Sequence, residues 1–247
     1  WKDYIYEISE PGNFDSLYRA HASHPMQMPK GSAITKTEAA DAIYVISRIS
    51  GEGADRKAEP GDYYLSEQEE EELKAITECY DNTIVILNVG GVMDVSFLEK
   101  YNIAALVMLS QAGMEGGNAL ADVLSGAVTP SGKLTDTWGC HYEDYPSSAT
   151  FSHNNGNIIE EKYYEGIYVG YRYFDSFEVE PRYPFGYGMS YTTFDVATEN
   201  AAWRPDAESK TITVTVKVTN TGSCAGKEVV QIYAACPFGK LKKERKR

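Results

Sequence analysis

Three short apolar runs set the frame of the chain. Ala42-Ile43-Tyr44-Val45-Ile46, Ile84-Val85-Ile86-Leu87-Asn88-Val89 and Ala104-Ala105-Leu106-Val107-Met108-Leu109 are rich in strand formers and alternate little. That pattern predicts strands buried on both faces, as in a parallel sheet. Between the first two lies Ser66-Glu67-Gln68-Glu69-Glu70-Glu71-Glu72-Leu73. Ser66 with Glu69 three residues on is a capping box, and the clustered acids sit where a helix N-terminus favours negative charge. Leu73, Ile76 and Tyr80 follow at helical spacing and supply the apolar face. The acidic run needs no bound cation to explain it. A further helix is predicted from about Gly116 to Ser125, ending at Gly126. Strand, helix and strand in repetition predict a parallel sheet covered by helices.

Beyond about Gly139 the pattern changes. Residues 139 to 158 carry Pro146 and the Asn154-Asn155-Gly156-Asn157 cluster, which reads as a linker or long surface loop. An aromatic, glycine-punctuated stretch runs from Tyr163 to Phe194. Then Thr211-Ile212-Thr213-Val214-Thr215-Val216-Lys217-Val218-Thr219 alternates strictly, Asn220-Thr221-Gly222 turns, and Glu228 to Tyr233 reads as another strand. The expected organisation is an α/β domain over residues 1–138, a connector over 139–193 and the opening of an antiparallel β-sandwich over 194–247. About three strands fit in that last part, against the roughly seven of a complete sandwich. Both domains are therefore expected to be incomplete, the first lacking its beginning.

Composition narrows the function. The 247 residues are 43% hydrophobic with a formal charge of −13, which suits a packed core and disfavours nucleic acid or an anionic membrane as partner. The single basic stretch, Lys240-Leu241-Lys242-Lys243-Glu244-Arg245-Lys246-Arg247, is read as a solvated loop rather than a polyanion-binding tail. Four cysteines lack metal-ligand or CxxC spacing, and no signal segment or membrane-length apolar run occurs. Idle thiols and the missing export signal lead to the expectation of a bacterial cytoplasmic protein. His21, His24, Met26 and Met28 have no further ligands at coordinating spacing and are taken as surface residues.

Candidate chemistry sits after the strands, because open parallel sheets build their sites at the carboxyl ends of the strands. The first strand runs into Ser47-Arg48-Ile49-Ser50-Gly51-Glu52-Gly53-Ala54-Asp55-Arg56-Lys57, the second into Gly90-Gly91-Val92-Met93-Asp94, the third into Ser110-Gln111-Ala112-Gly113-Met114-Glu115-Gly116-Gly117. None has Walker or Rossmann spacing, so nucleotide binding is disfavoured. The second is read as a structural turn. The first is denser in charge than a turn requires, and it presents Glu52 between two glycines.

At Ser50-Gly51-Glu52-Gly53, with Asp55-Arg56 following, the chain resembles the acid/base loop of many β-glucosidases of glycoside hydrolase family 3. Leu87 to Asp94, Gln111 to Ala119 with Asp122 to Gly126, Pro130 to Leu134, Tyr164 to Tyr173 and Tyr183 to Phe194 are similar to further family segments in the same order. Asn220-Thr221-Gly222 with Ala225 to Tyr233 resembles the start of the family's fibronectin III-like domain. The resemblance implies a three-layer α/β sandwich followed by a partial fibronectin III-like β-sandwich. It implies a retaining glycosidase with Glu52 as general acid/base and Arg48, Asp55 and Arg56 as substrate-binding residues. The nucleophile would be an aspartate on a TIM barrel that these 247 residues do not contain, so the fragment alone is expected to be inactive. The implied partners are a β-glucoside or oligosaccharide and that barrel, with no cofactor or metal, and homo-oligomerisation is left open. The competing reading is a non-catalytic carbohydrate-binding or scaffold module.

Overall fold

The computed structural model describes residues 37–48, 55–152, 157, 159–204, 211–235, 237, 240 and 242–247. The chain divides into two compact units, residues 1–116 with 140–161 and residues 117–139 with 162–247.

The first unit is built on the parallel sheet. Strands β1 (Asp41–Ser47), β2 (Asn82–Asn88) and β3 (Ala105–Met108) lie in the order β1-β2-β3, all parallel. Ile43 faces Ile84 in the ladder, and Ile86 faces both Val45 and Val107. Central β2 is buried on both sides, with Val85, Ile86 and Leu87 at 0–1% exposure. β1 departs from the expectation of two buried faces. Tyr44 and Ile46 are buried, whereas Ile43 and Val45 are 54% and 50% exposed, so among the described residues β1 is an edge strand covered on one side.

Helix α1 (Glu67–Cys79) covers that buried side. Its capping box forms as expected, Glu69 N–H donating to Ser66 Oγ and Ser66 N–H to the Glu69 carboxylate. Leu73 and Ile76 turn inward. Burying each stabilises the fold by roughly 1.5–3 kcal/mol. The Tyr44 hydroxyl donates to Glu72 on the same helix at 2.7 Å. Burial foremost, and then this bond, push the Tyr44 phenol well above its usual range. A short α2 (Phe97–Lys100) buries Phe97 completely, and a 3₁₀ turn (Tyr142–Asp144) lays the Tyr142 ring edge-on against Tyr63 at 5.2 Å. Among the described residues, Cys79 and Cys224 are free thiols. No helix among the described residues is long and apolar enough to cross a membrane.

Helix α3 (Gly116–Leu124) begins at the boundary between the units, one residue short of the expected end. In the second unit, residues 132–138 pair with 183–188. Leu134 N–H donates to Tyr187 O, Gly186 N–H to Leu134 O, and Trp138 exchanges both bonds with Tyr183. Lys133 reaches Gly188 O at 2.7 Å and forms an ion pair with Glu228 at 3.1 Å. These bonds tie residues 132–138 to the later chain. Helix α4 (Tyr171–Phe177) forms inside the aromatic stretch and buries Phe174.

Strands β4 (Phe194–Arg204) and β5 (Thr211–Asn220) form an antiparallel ribbon with an irregularity between Thr198 and Asn200. β5 matches the alternating run. Glu228–Tyr233 is not a strand, because no described segment pairs with its backbone. The basic end is not merely solvated either. Arg245 N–H donates to Ser176 Oγ, its guanidinium pairs with Glu178 at 3.0 Å, and Lys246 pairs with Asp175 at 3.0 Å. These cations gather at the carboxyl end of α4, where the helix dipole favours them.

Candidate active site

The chain leaving β1 enters the candidate site at Arg48. Backbone pairing continues one step past the strand, with Arg48 N–H donating to Asn88 O. The Arg48 side chain then turns inward and is 4% exposed. An arginine has five N–H donors. Here Nε donates to Asp62 O, Nη1 to Ser47 O and Glu69 Oε1, and Nη2 to Tyr64 O and Glu69 Oε2, all within 2.7–3.1 Å. Every donor is used. Arg48, expected among the substrate-binding residues, here anchors the sheet edge to the start of α1.

Glu52, the expected acid/base, lies outside the described residues, as do its neighbours from 49 to 54. The chain re-enters at Asp55, which is exposed, and Arg56, which is partly buried. Arg56 Nε donates to Asp62 Oδ1 at 2.6 Å, Nη2 to Asp62 O and Nη1 to Val92 O, both at 2.8 Å. Lys57 N–H donates to Asp62 Oδ2 at 2.6 Å. These bonds point Arg56 at the protein rather than outward. The expected group of Arg48, Asp55 and Arg56 is therefore split: the two arginines converge on Asp62, and Asp55 faces solvent.

The bonds also stitch two sheet-edge loops together. Val92, the acceptor for Arg56, belongs to the loop after β2, and Asp94 N–H in that loop donates to Tyr63 O. Met93 and Val95 are buried beneath it. The Asp94 carboxylate accepts from Ser96 N–H and Ser96 Oγ, which holds the entry to α2. Burial, and secondarily the nearby Tyr145 and Asp94 charges, raise the Tyr63 phenol far above its usual range. The Tyr64 phenol is also raised, by burial first and then by Glu143 and Asp94.

The third loop differs from the other two. Ser110 to Glu115 is exposed throughout, and Ser110 adopts φ 60°, a left-handed conformation that costs a non-glycine residue about 1 kcal/mol or more. Gly113 has φ 73°, which explains glycine there. Gly116 is buried, and an added Cβ would stand 3.0 Å from that of Ala112.

Asp62 and Glu69 are the functional residues that the pattern of the sequence did not single out. Glu69 was accounted for as a helix cap, yet its carboxylate serves the cap and Arg48 together. The available signal was two arginines flanking a glycine-containing segment, each of which needs acceptors when buried.

Comparison with known proteins converges on one group. Residues 27–191 match the model described as the glycosyl hydrolase family 3 C-terminal domain. The chain is 37% identical to a beta-glucosidase of Ruminococcus albus over 247 residues, covering 98% of this chain and 25% of that one. It is 40% identical over 242 residues to beta-glucosidase A of Butyrivibrio fibrisolvens, covering 83% and 29%. The structure of beta-glucosidase 3B from Thermotoga neapolitana in complex with glycerol superimposes with a TM-score of 0.76 at 42% identity, covering 83% of this chain and 29% of that chain. The chain thus spans between a quarter and a third of the length of these relatives. With the family model matching most of the chain and the parallel sheet, its edge loops and their glycines in the expected order, the chain belongs to glycoside hydrolase family 3, whose C-terminal α/β sandwich domain it carries.

Proposed function

We propose that this chain is a portion of a retaining β-glycosidase, a β-glucosidase, and that Glu52 is its general acid/base. The observation that carries the reading is the position of Glu52 in the sequence. It follows β1 at the carboxyl edge of a parallel sheet, where α/β folds build their sites, in a chain whose relatives are beta-glucosidases. The nucleophile is an aspartate on a barrel domain of the intact enzyme. That aspartate attacks the anomeric carbon while Glu52 gives its proton to the departing glycosidic oxygen. Glu52 then takes a proton from the water that releases the sugar, which restores both groups. Asp55, which is exposed, is read as a substrate-binding residue. The β4–β5 ribbon is the beginning of a fibronectin III-like domain.

The experiment uses Glu52→Gln in the intact enzyme. Cellobiose has a poor leaving group and needs the acid, so kcat/KM should fall by about 10²–10⁴-fold. A 2,4-dinitrophenyl glucoside needs little protonation and should fall far less. Unchanged turnover of cellobiose would remove Glu52 from the reaction.

A further inference from the structure

We propose that Tyr63, Tyr64 and Tyr142, with the carboxylates of Asp94 and Glu143, form a binding site for a neutral pyranose ring. Three separate stretches of the first unit supply these residues. The chain between β1 and α1 carries the adjacent tyrosines, the loop after β2 carries Asp94, and the 3₁₀ turn brings Tyr142 and Glu143. Asp94 N–H donates to Tyr63 O, which ties the tyrosines to the loop leaving the carboxyl end of β2. Open parallel sheets build their sites at that edge. The Tyr63 ring meets that of Tyr64 edge-on at 4.9 Å and that of Tyr142 at 5.2 Å.

The phenol hydroxyls point to a ligand. Tyr63 is 7% exposed, yet its hydroxyl has no hydrogen-bond partner among the described residues. Tyr44 is buried to the same degree and gives its hydroxyl to Glu72. A hydroxyl withdrawn from water without a partner is costly, so the bare Tyr63 hydroxyl marks an unmet need. Among the described residues the Tyr64 and Tyr142 hydroxyls have no partner either. Asp94 spends Oδ2 on Ser96 N–H and Ser96 Oγ, and no described residue donates to its Oδ1. Glu143 is exposed. After burial, the main cause, Asp94 contributes to the raised phenols of Tyr63 and Tyr64, and Glu143 to those of Tyr64 and Tyr142. The two carboxylates therefore stand beside the hydroxyls.

Carboxylates only accept, whereas phenol hydroxyls both donate and accept, so the matching ligand carries groups that do both. Sugar hydroxyls fit that description, and the C–H face of a pyranose packs against a tyrosine ring. An anion is repelled by the two carboxylates. No group of three or more His, Cys, Asp or Glu among the described residues could hold a metal ion. A quaternary ammonium would use the ring faces and leave all three hydroxyls unpaired. The site uses none of the residues of the acid/base reading, so the two stand or fall separately.

The test titrates the full chain, isotope-labelled in its tyrosine rings, with cellobiose and follows the ring signals by nuclear magnetic resonance. Wild type, Tyr63→Phe and Tyr142→Phe are compared, each variant losing a hydroxyl and keeping its ring. Saturable shifts at Tyr63, Tyr64 and Tyr142 are expected in the millimolar range, and each variant should raise Kd about three- to tenfold. Because the Tyr63 hydroxyl lacks a partner in the free chain, Tyr63→Phe should leave the denaturant midpoint unchanged or raise it. A purely structural phenol would do the reverse, lowering the midpoint and leaving Kd alone, and that result would overturn the proposal. Tyr142→Phe, at a half-buried position, carries the comparison if Tyr63→Phe does not fold. Shifts produced by tetramethylammonium and not by cellobiose, or no saturable shift below about 100 mM sugar, would overturn it as well.

Discussion

Removing Glu69 should unfasten the sheet edge far more than an exposed acid on a helix would. Glu69→Ala deletes both oxygens that grip Arg48, whose side chain is 4% exposed, while Glu69 itself is 16% exposed. Breaking one side of a buried ion pair costs about 3–5 kcal/mol, because the other charge stays behind unpaired. Arg48 keeps three carbonyl acceptors, from Ser47, Asp62 and Tyr64, which argues for the lower end of that range. The capping bond from Ser66 N–H is lost as well, which adds roughly 0.5–1 kcal/mol. The total is about 3–4 kcal/mol, whereas Glu69→Gln should cost roughly half, since its amide oxygen still accepts. Native-state hydrogen exchange reads this locally. The slowest amides of β1, β2 and α1 should exchange on the order of 10²-fold faster in Glu69→Ala. A change below about fivefold, near 1 kcal/mol, would mean that the pair behaves like an ordinary surface ion pair and that Arg48 is held by its carbonyl acceptors alone.

Two further predictions rest on other parts of the chain. The Tyr101 phenol, hydrogen-bonded to Glu70 and partly desolvated, is pushed up to about 12. A raised value means that its contribution is complete below about pH 10 and is lost as the pH rises toward 12. The difference in 295 nm absorbance between wild type and Tyr101→Phe should titrate near 12, and Glu70→Gln should bring it back toward 10; a wild-type midpoint at 10 would contradict the contact. In the second unit, a Cβ on Gly188 would collide with the Gly132 carbonyl and come within 3.0 Å of Lys133 Cδ, whereas one on Gly117 meets nothing within 4 Å. Gly188→Ala should therefore destabilise by about 1–3 kcal/mol. Gly117→Ala, in α3, should be neutral or stabilising by about 0.5–1 kcal/mol. Denaturant unfolding followed through the buried Trp138 separates the two, and equal effects would refute the close packing of residues 132 and 188.

The parallel sheet was readable because its signals are local. Unalternating apolar runs marked β1, β2 and β3, and Ser66 with Glu69 marked the start of α1. What the sequence pattern could not reveal depends on partners distant in the chain. Ile43 and Val45 have the hydrophobicity of a doubly buried strand, but exposure is decided by what lies beside them. Glu228 to Tyr233 has strand composition, and composition alone supplies no partner strand. Residues 117–138 follow the α/β pattern in order, yet their hydrogen bonds run to residues some fifty positions later. At the site, charge density after β1 was legible, but the direction of each side chain was not. Arg48 and Arg56 resemble ligand-binding residues until Asp62, Glu69 and Val92 supply their acceptors. The family motifs pointed to Glu52 without geometry, and the convergence of Arg48 and Arg56 on Asp62 emerged only from geometry.

The central claim is that Glu52 serves a retaining glycosidase as its acid/base, and the product formed by Glu52→Gln with azide tests it most directly. Without a base to activate water, the glycosyl-enzyme formed from 2,4-dinitrophenyl β-glucoside should accumulate. Azide, which needs no deprotonation, should intercept it. The account predicts azide-dependent recovery of turnover and β-glucosyl azide as the product, identified by nuclear magnetic resonance. Full water-driven turnover without azide, or an azide product of inverted α configuration, would contradict it.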